Sequence, residues 1–235
     1  MAETAKSLQA APSAILFDLD NTLVDLVHAK REACRAIVRE AGTGEADVLF
    51  SYFLRDLHGF EDPRNILEFL ADHGIRSRRT GEECVRIYEE VKIRCTCAYD
   101  GVPELLERLR TRGIALAIVT DASLENAKKR LEKTGISDYF LCLVTPETAG
   151  ARKPAPASFL HALAELGISA KEGLAVGDSL RRDIVPARAI GLITVYAAYG
   201  DRFSAVRQEE NPAHHTIHRP LDLLDLIPGL QPGTG

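Results

Sequence analysis

Asp18 and Asp20 stand one residue apart in the stretch Ala14 to Asp25, AILFDLDNTLVD, directly after four apolar residues. An apolar run that ends in carboxylates and a polar stretch predicts a buried parallel strand with the acids at its carboxyl edge. In open α/β sheets that edge borders the crevice where ligands bind. Carboxylates this close repel, and a cation or a shared proton relieves them, a divalent metal most simply. Taken alone, the pair also fits an ordinary polar turn. Three later apolar runs end in the same manner. Thr120 and Asp121 close IALAIV, Lys153 follows the run Phe140 to Thr145, and Asp178 and Asp183 follow Gly173 to Val176. Gathered at one edge, these groups offer a nucleophile, an acid/base, a hydroxyl donor, a cation and oxygen ligands, the set that displacement at phosphorus requires.

The elements that must hold them can be read in order. Helical spacing covers Val27 to Ala41, then roughly Glu45 to Leu57, Pro63 to Asp72, and Thr80 to the region of Cys97, with no strand pattern between. From Val102 onward, helices alternate with short apolar runs: helix to Arg112, strand Ile114 to Val119, helix Ala122 to Thr134, strand Phe140 to Thr145, helix Pro156 to Leu166. Then come strand Gly173 to Val176, a helix to about Ile190, strand Leu192 to Val195, strand Thr216 to His218 and helix Leu221 to Leu226. Such alternation implies right-handed βαβ units and a mainly parallel sheet. The helical block is therefore a second domain, residues 26–98, inserted into a core of 1–25 and 99–235. Its two junctions lie near Asp25 and Asp100, which predicts a mobile cover above the acids. Both chain ends, including Pro228 to Gly235, are expected to be loose.

Composition sets bounds on the function. The chain has 235 residues, 46% hydrophobic and 27% charged, with a formal net charge of -5. That balance gives no reason to expect nucleic acid or an anionic membrane as partner. No secretory signal and no run long enough to cross a bilayer is read, so a cytoplasmic location is expected. The five cysteines form an odd set, four of them in helical pattern, as suits reduced thiols. Cys95 and Cys97 make a poor metal clamp on a helix, and the cluster His214, His215, His218 lacks an accompanying carboxylate at a zinc-site spacing.

DLDNT at 18–22, VTDAS closing the second strand, the lysine of GARKPAP and GDSLRRDI resemble, in type and order, the four motifs of the haloacid dehalogenase-like superfamily. The match runs from about Ala14 to Ala197, and the helical insertion resembles that family's C1 cap. The resemblance implies a Rossmann-like core and a Mg²⁺-dependent phosphatase acting on a small phosphorylated metabolite. Asp18 would be the nucleophile, passing through an aspartyl phosphate. Asp20 would act as acid and base, its backbone carbonyl also ligating the metal. Asp178 would complete the protein ligands, with Asp183 orienting a metal-bound water. Thr120 and the N–H groups of Asp121 and Ala122 would bind the phosphoryl oxygens, and Lys153 would neutralise charge. In the cap segment 54–65, Arg55, His58 and Arg64 are placed to meet the rest of the substrate, although they also fit an ordinary surface.

The alternative within this resemblance is a phosphomutase of the β-phosphoglucomutase type. A 2-haloacid dehalogenase fits less well because Asp20 is present where those enzymes lack the second acid. A non-catalytic binding protein fits less well because none of the key acids is missing.

Overall fold

In the computed structural model, which describes residues 8–55, 57–203 and 211–230, the run Ala14–Phe17 forms strand β1, buried along its whole length. It is followed by β2 (Ala115–Val119), β3 (Cys142–Val144), β4 (Gly173–Gly177), β5 (Ile193–Ala197) and β6 (His215–Ile217). The six strands form one sheet in the order β3-β2-β1-β4-β5-β6, and every pairing is parallel. Helices α1 (Leu26–Ala41), α2 (Ala46–Phe53), α3 (Arg64–Asp72), α4 (Arg78–Arg94) and α5 (Val102–Thr111) separate β1 from β2. The later connections carry α6 (Leu124–Thr134), α7 (Pro146–Ala149), α8 (Ala157–Leu166), α9 (Val185–Ala189) and finally α10 (Asp222–Leu226).

Side chains alternate across the sheet, so β1 sends Ile15 and Phe17 to one face and Ala14 and Leu16 to the other. The first face packs with Leu116, Ile118, Leu174 and Val176 under Leu105, Leu109 and Leu131. The second holds the smaller Ala117 and Ala175 against Phe159 and Leu163 of α8. Burial on both faces explains why the strands read as continuous apolar runs.

The chain divides into two units, one reaching to Asp25 and resuming at Ala98, the other Leu26–Cys97. The helical unit has its own core, with Cys34, Ile37, Phe53, Phe69 and Tyr88 buried together and Phe53 stacked on Tyr88 at 5.2 Å. In the sheet unit, the outgoing and returning strands of chain run side by side. Val24 and Ala98 form an antiparallel bridge, and the Tyr99 N–H donates to the Leu23 carbonyl at 3.0 Å.

The structure departs from the sequence reading at several boundaries. Helix α2 stops at Phe53 because Leu54 and Leu57 find no apolar face and remain exposed. Helix α4 begins earlier, where the Ser77 hydroxyl accepts from the Thr80 N–H, and ends before Cys95, so Cys95 and Cys97 lie beyond it. The helical turn α7 was masked in sequence by its Pro and Gly surroundings, and a π-helical turn, Leu180–Ile184, precedes α9 in place of one regular helix. The expectation of loose ends falls partly outside the described residues. Where it can be compared it needs correcting: Leu230 is buried and its carbonyl accepts from Arg108 at 2.6 Å, while the Leu8 N–H donates to Leu226 at 2.8 Å.

Candidate active site

With β1 flanked by β2 and β4, the order of strands reverses at the centre of the sheet, and the carboxyl ends of these three strands open onto one crevice. The ladder continues one residue past β1, where the Asp18 N–H donates to the Val176 carbonyl at 2.9 Å. This extension fixes the Asp18 backbone beside β4. The next residues turn sharply: Asn21 adopts a left-handed φ of 65°, its N–H meets the Val24 carbonyl at 2.6 Å, and Leu23 and Val24 both donate to the Leu19 carbonyl. Asn tolerates that conformation better than most side chains. Gly200 lies against this turn so closely that a Cβ there would sit 1.8 Å from the Asn21 carbonyl oxygen. The Tyr199 hydroxyl donates to the Thr22 carbonyl at 2.6 Å, so the segment after β5 braces the loop.

Lys153 stands at the centre. Its ammonium donates to Asp18 Oδ1 at 2.6 Å, to Asp183 Oδ1 at 2.5 Å and to the Val119 carbonyl at 3.0 Å, which uses all three of its protons. The side chain is 2% exposed. Asp121 fixes the lysine's backbone, its Oδ1 accepting from the Lys153 N–H at 2.9 Å. Asp183 accepts on its other oxygen from the Ser179 N–H at 2.9 Å, and Gly177 makes room for it: a Cβ at Gly177 would fall 2.4 Å from Asp183 Cβ. Thr22 donates to Asp18 Oδ2 at 3.2 Å.

Oxygens of Asp18, Asp178 and Asp183 all lie within 4.8 Å of one another, and all three residues are buried. One ammonium in contact does not neutralise three carboxylates. Burial pushes the Asp18 carboxyl up despite the opposing pull of Lys153, and burial together with the charges of Asp18 and Asp183 pushes Asp178 well above the usual range. Burial alone would lower the Lys153 ammonium, but Asp18 and Asp183 outweigh it and hold the group protonated. Asp178 Oδ1 is buried with no hydrogen-bond partner among the described residues. An orphaned carboxylate oxygen beside two further carboxylates fits a small hard cation, which favours oxygen ligands and retains waters.

The remaining sequence candidates are placed as follows. Thr120 is buried at the end of β2, and its hydroxyl oxygen accepts from the Ala122 N–H at 3.1 Å, so that N–H is already engaged. The Asp20 carboxylate pairs with the guanidinium of Arg130 on α6. In the helical unit, Arg64 grips Asp62 at 2.7 Å and draws its carboxyl down to about 2. Arg55 lies over the Tyr52 ring at 3.5 Å, and both Arg55 and His58 approach Glu68 at 3.7 Å. The His cluster gathers no metal set, since His214 Nδ1 lies 2.9 Å from the Thr194 hydroxyl and the described residues contain only the Asp18, Asp178, Asp183 group.

Several participants escaped the sequence reading. Arg130 hides within the basic run KKR and betrays itself only by sharing a helix face with Ala127 and Leu131. Arg182, in the π-helical turn, lies near the cluster, where Asp183, Asp18 and Asp178 outweigh the effect of burial and hold its guanidinium charged. Tyr199 comes from a distant strand end that no local pattern connects to the site.

A parallel sheet that gathers a carboxylate, a buried lysine and a metal-competent acid cluster at its switch point defines a Rossmann-like α/β core, here with an inserted helical unit. The model of the haloacid dehalogenase-like hydrolase family matches residues 12–191, and the chain belongs to that family. It is 30% identical over 226 residues to the glyceraldehyde 3-phosphate phosphatase of Methanopyrus kandleri, covering 91% of this chain and 96% of that one. To the phosphoglycolate phosphatase of Pseudomonas syringae pv. tomato it is 31% identical over 231 residues, covering 93% and 79%. Among solved structures, a subfamily IA, variant 1 hydrolase of the same superfamily from Geobacter sulfurreducens superposes with a TM-score of 0.70 at 23% identity, over 94% of this chain and 99% of that one. YfnB of Bacillus subtilis, solved bound to magnesium, gives 0.74 at 20% identity, over 93% and 99%.

Proposed function

We propose that the chain is a Mg²⁺-dependent phosphatase that hydrolyses a small phosphorylated metabolite through an aspartyl phosphate on Asp18. The observation that carries this reading is the contact of the Lys153 ammonium with Asp18 at 2.6 Å inside the cluster completed by Asp178 and Asp183. Family membership and the phosphatase names of its relatives support it.

Asp18 Oδ attacks phosphorus in line with the leaving oxygen, and Asp20, entering the step protonated, gives that oxygen its proton and becomes a carboxylate. The Thr120 hydroxyl donates to a phosphoryl oxygen, and the Lys153 ammonium, held beside Asp18, offsets the phosphoryl charge as it redistributes. Asp20 then removes a proton from the water that attacks the phosphorus of the acyl phosphate, and Asp18 is regenerated. Asp18, Asp178 and the Asp20 backbone carbonyl would hold Mg²⁺, with Asp183 steadying Lys153 and a bound water. When bound, the ion neutralises developing phosphoryl charge and keeps the attacking carboxylate ionised. The helical unit selects the substrate, with Arg55, His58 and Arg64 the candidate contacts, each of which would exchange an acidic neighbour, Glu68 or Asp62, for the substrate.

The test is phosphate release from p-nitrophenyl phosphate, glyceraldehyde 3-phosphate and phosphoglycolate, with and without Mg²⁺, by the wild type and Asp18→Asn. Mg²⁺-dependent release that D18N abolishes supports the reading. Metal-independent release, or release unchanged in D18N, overturns it, and return of the phosphoryl group to a sugar hydroxyl would make the chain a mutase instead.

A further inference from the structure

Arg130 is a charged side chain with no exposed surface, placed on the face of α6 that also buries Ala127 and Leu131. Such burial of a guanidinium is tolerated only where an anion and hydrogen bonds replace its water. The anion is Asp20, whose Oδ2 meets Arg130 Nη1 across 110 residues of sequence. Asp20 is itself only 16% exposed. The pair joins the turn after β1, entered directly from Asp18, to α6, the helix that the connection containing Thr120 leads into.

We propose that Arg130 is a positioning residue that sets the direction of the Asp20 carboxylate toward the leaving-group oxygen, an inference that rests on the acid/base reading of Asp20 given above. Being wholly buried, Arg130 does not reach the substrate and acts only through Asp20. A guanidinium suits the task because its planar fork fixes the orientation of a carboxylate, which a lysine ammonium does not. The helix supplies rigidity: α6 is capped at its start by the Ser123 hydroxyl, which accepts from the Asn126 N–H at 3.3 Å, and closed by Gly135 in the left-handed conformation. Displacing a catalytic carboxylate by about 1 Å lowers turnover by roughly 10²-fold.

The test combines crystal structures of the wild type and Arg130→Met with steady-state kinetics on p-nitrophenyl phosphate in Mg²⁺. The expected result is a displaced Asp20 carboxylate in R130M, kcat lowered roughly 10²-fold at a KM within about twofold, and partial recovery in R130K. Placed on top of Asp20→Asn, R130M should remove nothing more, because residues acting as a unit are not additive. An Asp20 carboxylate unmoved in R130M, or losses that add in the double variant, would overturn the proposal. Should R130M not fold, R130K decides alone: a lower kcat at unchanged KM supports it and wild-type kcat refutes it. If the wild type releases phosphate from no ester, the phosphatase reading fails on that result, while the position of Asp20 in R130M still decides whether Arg130 orients it.

Discussion

At the scale of single residues, a lysine 2% exposed is stable as an ammonium only because three acceptors replace its hydration, two of them carboxylates. Lys153→Met should therefore lower kcat by roughly 10²–10³-fold, as expected for loss of a preorganised charge at the transferring group. Lys153→Arg should not restore it, since three contacts at 2.5–3.0 Å leave no space for a larger head group; near-wild-type turnover by K153R in the same assay would contradict this. The raised carboxyls of Asp18 and Asp178 make a second prediction. Their folded pKa values lie above the unfolded ones, so the metal-free native state holds protons that the unfolded chain has released. Its stability then falls as pH rises from the ordinary carboxylate range through the raised values. Lys153, also raised, stays protonated in both states across that window and leaves the sign unchanged. Mg²⁺ bound as proposed would replace those protons, so its gain in melting temperature should be larger at pH 8 than at pH 5; equal gains at the two pH values would contradict that binding. Asp18 and Asp178 were legible in the sequence because each directly follows an apolar run, and Lys153 because it stands in GARKPAP, in the loop after the third such run. Arg130 was not, because its role depends on which helix face is buried and on a partner far away in the chain.

At the scale of elements, the site depends on the reversal of strand order between β1 and β4 and on a turn after β1 that neighbouring segments hold in place. Gly200 shows how tight that hold is. A methyl group there would collide with the Asn21 carbonyl at 1.8 Å, and backbone cannot yield as a flexible side chain does. Gly200→Ala should destabilise the fold by about 1–3 kcal/mol and reduce Mg²⁺ affinity, measurable by thermal melting and calorimetric titration. Retention of both would show that the segment after β5 does not brace the turn. Strands β1, β2 and β4 were easy to read because burial on both faces leaves unbroken apolar runs. Element ends were harder. Nothing in YFLRDL says that Leu54 lacks a surface to cover, and α7 is made of residues whose usual habit is the loop.

At the scale of the whole molecule, two units have separate cores: the sheet unit contains Asp18, Lys153 and Asp178, and the helical unit is built around Phe53, Phe69 and Tyr88. Phe53→Ala should lower stability by about 3–5 kcal/mol through the cavity left beside Tyr88. At a temperature where the variant is folded, calorimetry should find Mg²⁺ affinity within about twofold of wild type, because among the described residues no metal-site candidate belongs to that unit. Loss of Mg²⁺ binding in F53A would show that the two units are not separable in function. The inserted block was legible because four helical patterns follow one another without a strand. What the block recognises was not, since Arg64 is tied to Asp62 by a contact that spacing alone does not reveal.

The mechanism proposed above requires that phosphorus be carried on a carboxylate at the end of the first strand. Acid-quenching the enzyme during turnover of a phosphate ester in Mg²⁺ and mapping its peptides by mass spectrometry tests this directly. A phosphoryl group is expected on the peptide containing Asp18, and none there in D18N. Phosphate release with that peptide unmodified, or with the phosphoryl group on another residue, would contradict it.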